Sequence, residues 1–144
     1  MYDRILIPTD GSKESQKGAR HGVDLAAAVG AEVHALYVIE EGGNPWMSES
    51  MDDQRERAEE YGEEQTGEVG DMAAEAGVDF VSAIKSGPSP TRRINEYVEE
   101  EDIDLIVMGS GFHGQIGAML GSTAEKVLRT ATVPVTTLRR SDTE

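Results

Sequence analysis

The stretch MGSGFHGQIGAMLGST, Met108 to Thr123, sets a series of glycines after an apolar run and ahead of a helix-like segment. Gly109, Gly111 and Gly114 spell G-x-G-x-x-G, the string that cradles a pyrophosphate when it follows a strand and opens a helix. The rest of that dinucleotide fingerprint is missing. A ribose-binding acid should stand about 20 residues further on, yet the run from Lys126 to Arg140 holds neither Asp nor Glu. The helix signal begins near Ser122 rather than at Gly114, and the string follows the fourth strand-like segment instead of the first. The match is accidental. A Walker A loop fails as well, since Gly-Lys-Ser/Thr occurs nowhere.

The glycine stretch then ends on Gly121-Ser122-Thr123, at the start of a helix. Free backbone N–H groups, two hydroxyls and the positive end of a helix dipole suit an anion. The glycines at 109, 111, 114 and 121 would let a backbone approach a ligand closely. A surface loop leading into a well-capped helix accounts for the same residues, with Ser-Thr-Ala-Glu125 reading as a capping box. A second candidate is Asp10, between a strand-like run and Gly11-Ser12. Its carboxylate could meet a ligand or simply brace a turn.

These residues need a scaffold, and the chain supplies an alternation of two segment types. Short β-rich apolar runs fall at 4–8, 32–39, 79–84, 104–108 and 133–138. Their composition and length suit strands buried on both faces of a parallel sheet. Helix-like segments lie between them. The first, Ser12 to Val29, repeats Ala19, Val23, Ala26 and Ala27 at helical spacing, with Gly30 placed to cap it. The second, Ser50 to Ala76, is acidic, with sparse and mostly alanine apolar positions, and should lie on the outside. The third, Ser89 to Glu100, carries Ile94, Tyr97 and Val98 on one face, and the fourth begins near Ser122. The order predicts a single α/β domain over 1–144: a doubly wound, flavodoxin- or Rossmann-like sheet of five parallel strands with about four helices. In such sheets ligands bind beyond the carboxyl ends of the strands. The ends at IPTDGS, YVIE and VMGSG are therefore the candidate walls.

Bulk composition narrows the function. The 144 residues contain no cysteine, which excludes disulfides, cysteine zinc sites and thiol chemistry. The formal net charge of −15 opposes nonspecific nucleic-acid binding, which needs Lys and Arg against phosphates. The acid is uneven. From Glu40 to Glu75 there are 13 Asp and Glu against Arg55 and Arg57, whereas Val107 to Arg140 has Glu125 alone against four cations. So acidic a surface is what a protein adapted to high salt would carry. No apolar run approaches the roughly 20 residues of a membrane span, and the opening MYDRILIPTD is not a signal peptide, so a cytoplasmic protein is expected. No nucleophile stands with a matching base, and no His/Asp/Glu set has metal spacing. His113 lies in the glycine loop, while His21 and His34 read as helix-surface and strand residues. Arg92 and Arg93 read as solvated.

RILIPTDGS, LYVIE, SGPSPTRRINEYVEEEDIDLIVMGS and LGSTAEKVLRTATVPVTTLR, in that order, resemble the universal stress protein (UspA-like) family over nearly the whole chain. ATP-binding members carry G-x2-G-x9-G-S/T. Nine residues separate Gly111 from Gly121-Ser122, as that pattern wants, but position 108 is Met and the preceding glycine is Gly109, one residue short. The resemblance implies that Asp10 and the backbone of Val38 recognise adenine, with Pro8 and Thr9 lining the pocket. It further implies that Gly111, Gly114, Gly121, Ser122 and Thr123 hold phosphates, with Met108 and Gly109 flanking the ribose side. ATP is the expected ligand, with Mg²⁺ on its phosphates and at most slow hydrolysis. A homodimer through the last strand, VPVTTLR, is expected, together with an unknown protein partner. The alternative is a member that no longer binds nucleotide and works through protein partners.

Overall fold

Alternation along the strands divides the core into two layers. In the computed structural model, which describes residues 2–41, 51–110 and 121–139, β1 (Arg4–Pro8) is the central strand. Successive side chains of a strand point to opposite faces. Ile5 and Ile7 therefore enter one cluster with Ala19, Val23, Ala26 and Val69, while Leu6 enters another with Ile94, Tyr97, Ala124 and Val127. β2 (Glu32–Glu40) and β4 (Leu105–Gly109) divide in the same way: Val33, Ala35, Leu105 and Val107 on one side, Leu36, Ile106 and Met108 on the other. Ile5, Leu6 and Ile7 are all fully buried, which only a sheet covered on both faces permits.

The covering helices follow chain order. α1 (Lys13–Val29) and α2 (Met51–Ala76) pack on the first cluster, and α3 (Pro90–Glu100) and α4 (Ser122–Thr130) on the second. With β3 (Phe80–Gly87) and β5 (Val135–Leu138) at the edges, the sheet order is β3-β2-β1-β4-β5, parallel throughout. The chain winds outward from β1 to β3, then crosses to β4 on the other side. The strand order thus reverses between β1 and β4, the switch point beyond whose carboxyl ends sheets of this kind hold their ligands. This is the expected five-stranded doubly wound α/β fold.

Local signals account for most helix ends. Ser12 caps α1 by accepting from the Ser15 N–H at 3.1 Å, and Gly30 closes it at φ +77°, where a side chain would be strained. Ser89 caps α3 ahead of Pro90 in its first turn. Even α2, polar as it is, buries Gly62, Thr66, Val69 and Ala73, a stripe three or four residues apart. Three expectations need correction. The capping box at α4 is absent: the N-cap is Gly121, which makes no side-chain cap, and Ser122 is already helical. Glu125 pairs with Arg129 instead of reaching back. Ala27 is exposed, one position off the buried face of α1. β5 starts at Val135 rather than 133, after Pro134, which has no N–H for the ladder.

Candidate functional site

The crevice floor is built by the ends of β1 and β4. The Thr9 N–H donates to the Leu36 carbonyl at 2.9 Å, tying the end of β1 to β2. Its hydroxyl, on a residue only 3% exposed, meets the Ser15 hydroxyl at 2.6 Å. Ser15 also accepts from the Asp10 N–H at 3.2 Å, so the N-cap Ser12 and Ser15 in the first turn of α1 lock the turn. Pro8 is buried beneath this turn. Thr9 is therefore engaged in fastening α1, and any contact it makes with a ligand falls to its backbone.

Asp10 is half-buried, and its Oδ1 accepts from the Ser12 N–H at 2.9 Å, closing a side-chain-braced turn. Gly11 follows at φ +84°, and a Cβ there would meet the Tyr61 hydroxyl and Gln65. Tyr61 of α2 donates to the Asp10 carbonyl at 3.2 Å and packs edge-on against Tyr37 of β2, with ring centroids 5.6 Å apart. Burial, then Tyr61 and Asp10 nearby, raise the Tyr37 phenol above its ordinary range. Sequence reasoning missed this aromatic pair beside Asp10, because nothing in the spacing of α2 marks Tyr61. Val38, one residue along β2, is half-buried against the second core cluster and pairs with Lys85.

On the β4 side, Met108 is fully buried in the second core cluster, so its side chain belongs to the core and only its backbone reaches the crevice. Gly109 has a clear packing duty. A Cβ on it would lie 2.3 Å from the Glu14 carbonyl oxygen, and a Cβ on Gly18 would lie 2.8 Å from the Gly109 nitrogen. Here α1 and β4 meet backbone to backbone, and two glycines make room. Gly111, Gly114 and His113 lie outside the described residues.

The chain re-enters at Gly121, whose N–H donates to the Ser110 carbonyl at 2.7 Å, while the Ser110 N–H donates to Leu138 at 2.8 Å. Both ends of the glycine stretch are thus fastened to the sheet. The first bond of α4 runs from the Glu125 N–H to the Gly121 carbonyl, and no side chain caps the N–H groups ahead of it. Thr123 is 6% exposed, and its hydroxyl has no hydrogen-bond partner among the described residues. Ser122, Thr123 and Lys126 form one wall of an open cleft of about 290 Å³. The first turn of α3, with Ser89 and Thr91, and Glu40 at the end of β2 form the rest. Among the described residues no group of three or more His, Asp or Glu is placed for a metal ion. The two arginines of α3 divide: Arg92 is solvated, whereas the Arg93 side chain is only 17% exposed and bonds to Glu100 at 2.8 Å, which lowers the Glu100 carboxyl.

A doubly wound parallel sheet with an uncapped helix N-terminus beside its switch point defines an α/β domain built to present backbone donors at the strand ends. The chain belongs to the universal stress protein family, whose family model matches residues 1–139. It is 36% identical to universal stress protein MJ0531 of Methanocaldococcus jannaschii, covering all of this chain and 86% of that one. Its fold superposes on a universal stress protein from Burkholderia pseudomallei at a TM-score of 0.80 and 23% identity, over 95% and 96% of the two chains. A universal stress protein from Archaeoglobus fulgidus, solved in complex with dAMP, superposes at 0.70 and 21% identity, over 94% and 97%. Among the described residues, no helix is long and apolar enough to cross a membrane.

Proposed function

We propose that this chain binds ATP or a related adenine nucleotide at the β1–β4 crevice and acts in the stress response as a sensor or interaction module, as a homodimer. The observation that carries this reading is the start of α4. Its N-cap is a glycine, its first N–H groups have no side-chain cap, and the hydroxyl of Thr123, a residue only 6% exposed, has no partner among the described residues. A phosphate would satisfy these donors together with the helix dipole. Asp10 and the backbone of Val38 would take the base, and the dAMP complex of the Archaeoglobus fulgidus protein supports an adenine nucleotide as the ligand class. No general base or arginine finger is part of this reading, so the protein works by binding, with hydrolysis slow at most.

A second reading, a member that acts through protein partners without nucleotide, draws on the front of the glycine motif. Position 108 is a core methionine, and Gly109 is occupied in packing against α1. Calorimetric titration with ATP and Mg²⁺, at a salt concentration that keeps so acidic a chain folded, separates the two. Binding in the micromolar-to-millimolar range is expected, and no heat at millimolar ATP would leave only the partner-binding reading. Gly121→Val should abolish the binding. Its φ of −64° suits any residue, so the added side chain acts by crowding the donors. Unchanged affinity would refute the assignment of phosphate to α4.

A further inference from the structure

Lys126 stands one helical turn after Ser122, on the same face of α4, and both line the 290 Å³ cleft. The other cations of α3 and α4 all have carboxylate partners: Arg92 and Arg93 with Glu96, Arg93 also with Glu100, and Arg129 with Glu125. Lys126 has no ion pair among the described residues, in a chain with 28 acids to 13 cations. A lysine without an ion pair in such surroundings, near a Thr123 hydroxyl that has no partner among the described residues, is placed for an anion that enters from outside.

The size of the cleft bears on which anion. At about 30 Å³ per water molecule its volume corresponds to roughly ten waters, more than one phosphate group fills. Several donor-bearing residues line it: Ser122 and Thr123 at the start of α4, Lys126 a turn further on, and Ser89 and Thr91 at the start of α3. Glu40 closes the β2 side with a negative charge and would turn a polyanion toward Lys126.

We propose that this cleft takes the terminal phosphates of a nucleoside polyphosphate, with Lys126 as their countercharge. The first phosphate sits on the N-terminus of α4, and each further phosphate extends toward Lys126. The ligand class is then nucleoside di- and triphosphates in preference to mono- or cyclic monophosphates. This rests on the adenine-nucleotide reading and adds selectivity for phosphate number, assigned to one side chain.

The test is a titration of the full chain with ATP, ADP and AMP at fixed salt and fixed excess Mg²⁺, comparing wild type, Lys126→Gln and Arg129→Gln. Wild type should prefer ATP to AMP by tenfold or more. Lys126→Gln should lower ATP affinity roughly five- to tenfold while leaving AMP unchanged. Arg129→Gln removes the same charge from the same helix outside the cleft and should leave ATP affinity as it was. Equal losses for ATP and AMP in Lys126→Gln, or the same loss in Arg129→Gln, would reduce the effect to general electrostatics and overturn the proposal. So would ATP affinity indifferent to Lys126→Gln. If wild type bound AMP and ATP equally, the selectivity would fall while the adenine-nucleotide reading stood. If it bound none of the three, both would fall.

Discussion

Gly109 and Gly121 belong to one glycine motif but answer to different neighbours. The Gly109 Cα faces the Glu14 carbonyl so closely that a methyl group would need α1 to move. Gly109→Ala should therefore destabilise the fold by about 1–3 kcal/mol, the usual cost of overpacking a rigid contact, read as a lowered urea midpoint. Wild-type stability in that variant would show that the Gly109–Glu14 contact yields cheaply. Gly121 has ordinary backbone angles, so its lack of a side chain serves the donors of α4 rather than the chain path. Sequence spacing cannot separate these cases, because a glycine demanded by a ligand and one demanded by a helix on the far side of a strand look alike. Asp10 had the same ambiguity, and its bond to the Ser12 N–H establishes the turn role, on which any ligand role would be superimposed. Lys126 was legible in principle, as the cation at i+4 from Ser122, but its isolation from carboxylates appears only in three dimensions.

Among the elements, α3 is fixed to the sheet by a polar chain inside the second core layer. The Tyr97 hydroxyl lies 2.7 Å from His34 Nδ1, and His34 Nε2 lies 2.5 Å from Glu32 Oε1. When His34 Nε2 donates to Glu32, Nδ1 is left to accept from the tyrosine. Burial first, then Glu101, Glu32 and Glu100, pushes the Tyr97 phenol up to about 12. An unfolded tyrosine ionises near pH 10, so between about pH 10 and 12 the unfolded chain holds fewer protons than the native one. The stability that this neutral phenol confers is complete below pH 10 and lost as pH rises through 12. Urea midpoints across that range should fall in wild type and fall less steeply in Tyr97→Phe, which leaves His34 Nδ1 without its donor and costs about 1–3 kcal/mol at neutral pH. Equal slopes would remove Tyr97 from the account. The period of apolar residues placed Tyr97 on the buried face of α3, but His34 read only as a strand residue. Its partners come from α3, 63 positions away, and from the sheet face it shares with Glu32. α4 begins at Ser122 as expected, but the capping box fails for a related reason: Ser-x-x-Glu caps only if the serine is non-helical, and with Gly121 at the N-cap Ser122 is already in the helix.

At the scale of the molecule, the strand–helix alternation gave away the fold because central parallel strands must be apolar on both faces, and β1 and β4 are. What it could not reveal was which strand edges stay open. β5 is one edge of the sheet. Pro134 and Leu138 turn their carbonyls to β4, accepting from Ile106 and Ser110, so by alternation Val135 and Thr137 present theirs to the open side. A homodimer through this edge would pair those groups. Thr137→Pro removes an outward N–H and leaves the ladder to β4 intact, and it should convert a dimer to a monomer by light scattering. A persistent dimer would place the interface elsewhere. The charge supports the choice of this edge: the acid is concentrated from Glu40 to Glu75, whereas the segment from Val107 to Arg140 carries Glu125 alone against four cations. Two copies meeting at β5 would keep their most acidic helices away from the seam.

The bond from the Gly121 N–H to the Ser110 carbonyl has a consequence for where the chain can change length. It ends β4 and begins α4 at one shared point, so the chain leaves the sheet and rejoins it ten positions later across a single hydrogen bond. Adding or deleting one residue in a loop of that length changes its closure entropy by only on the order of 0.1 kcal/mol. The frame therefore tolerates a change of length between these two anchors at little cost to folding. The residue missing from the glycine motif falls instead between Gly109 and Gly111, at Ser110, the residue that carries the bond closing the frame.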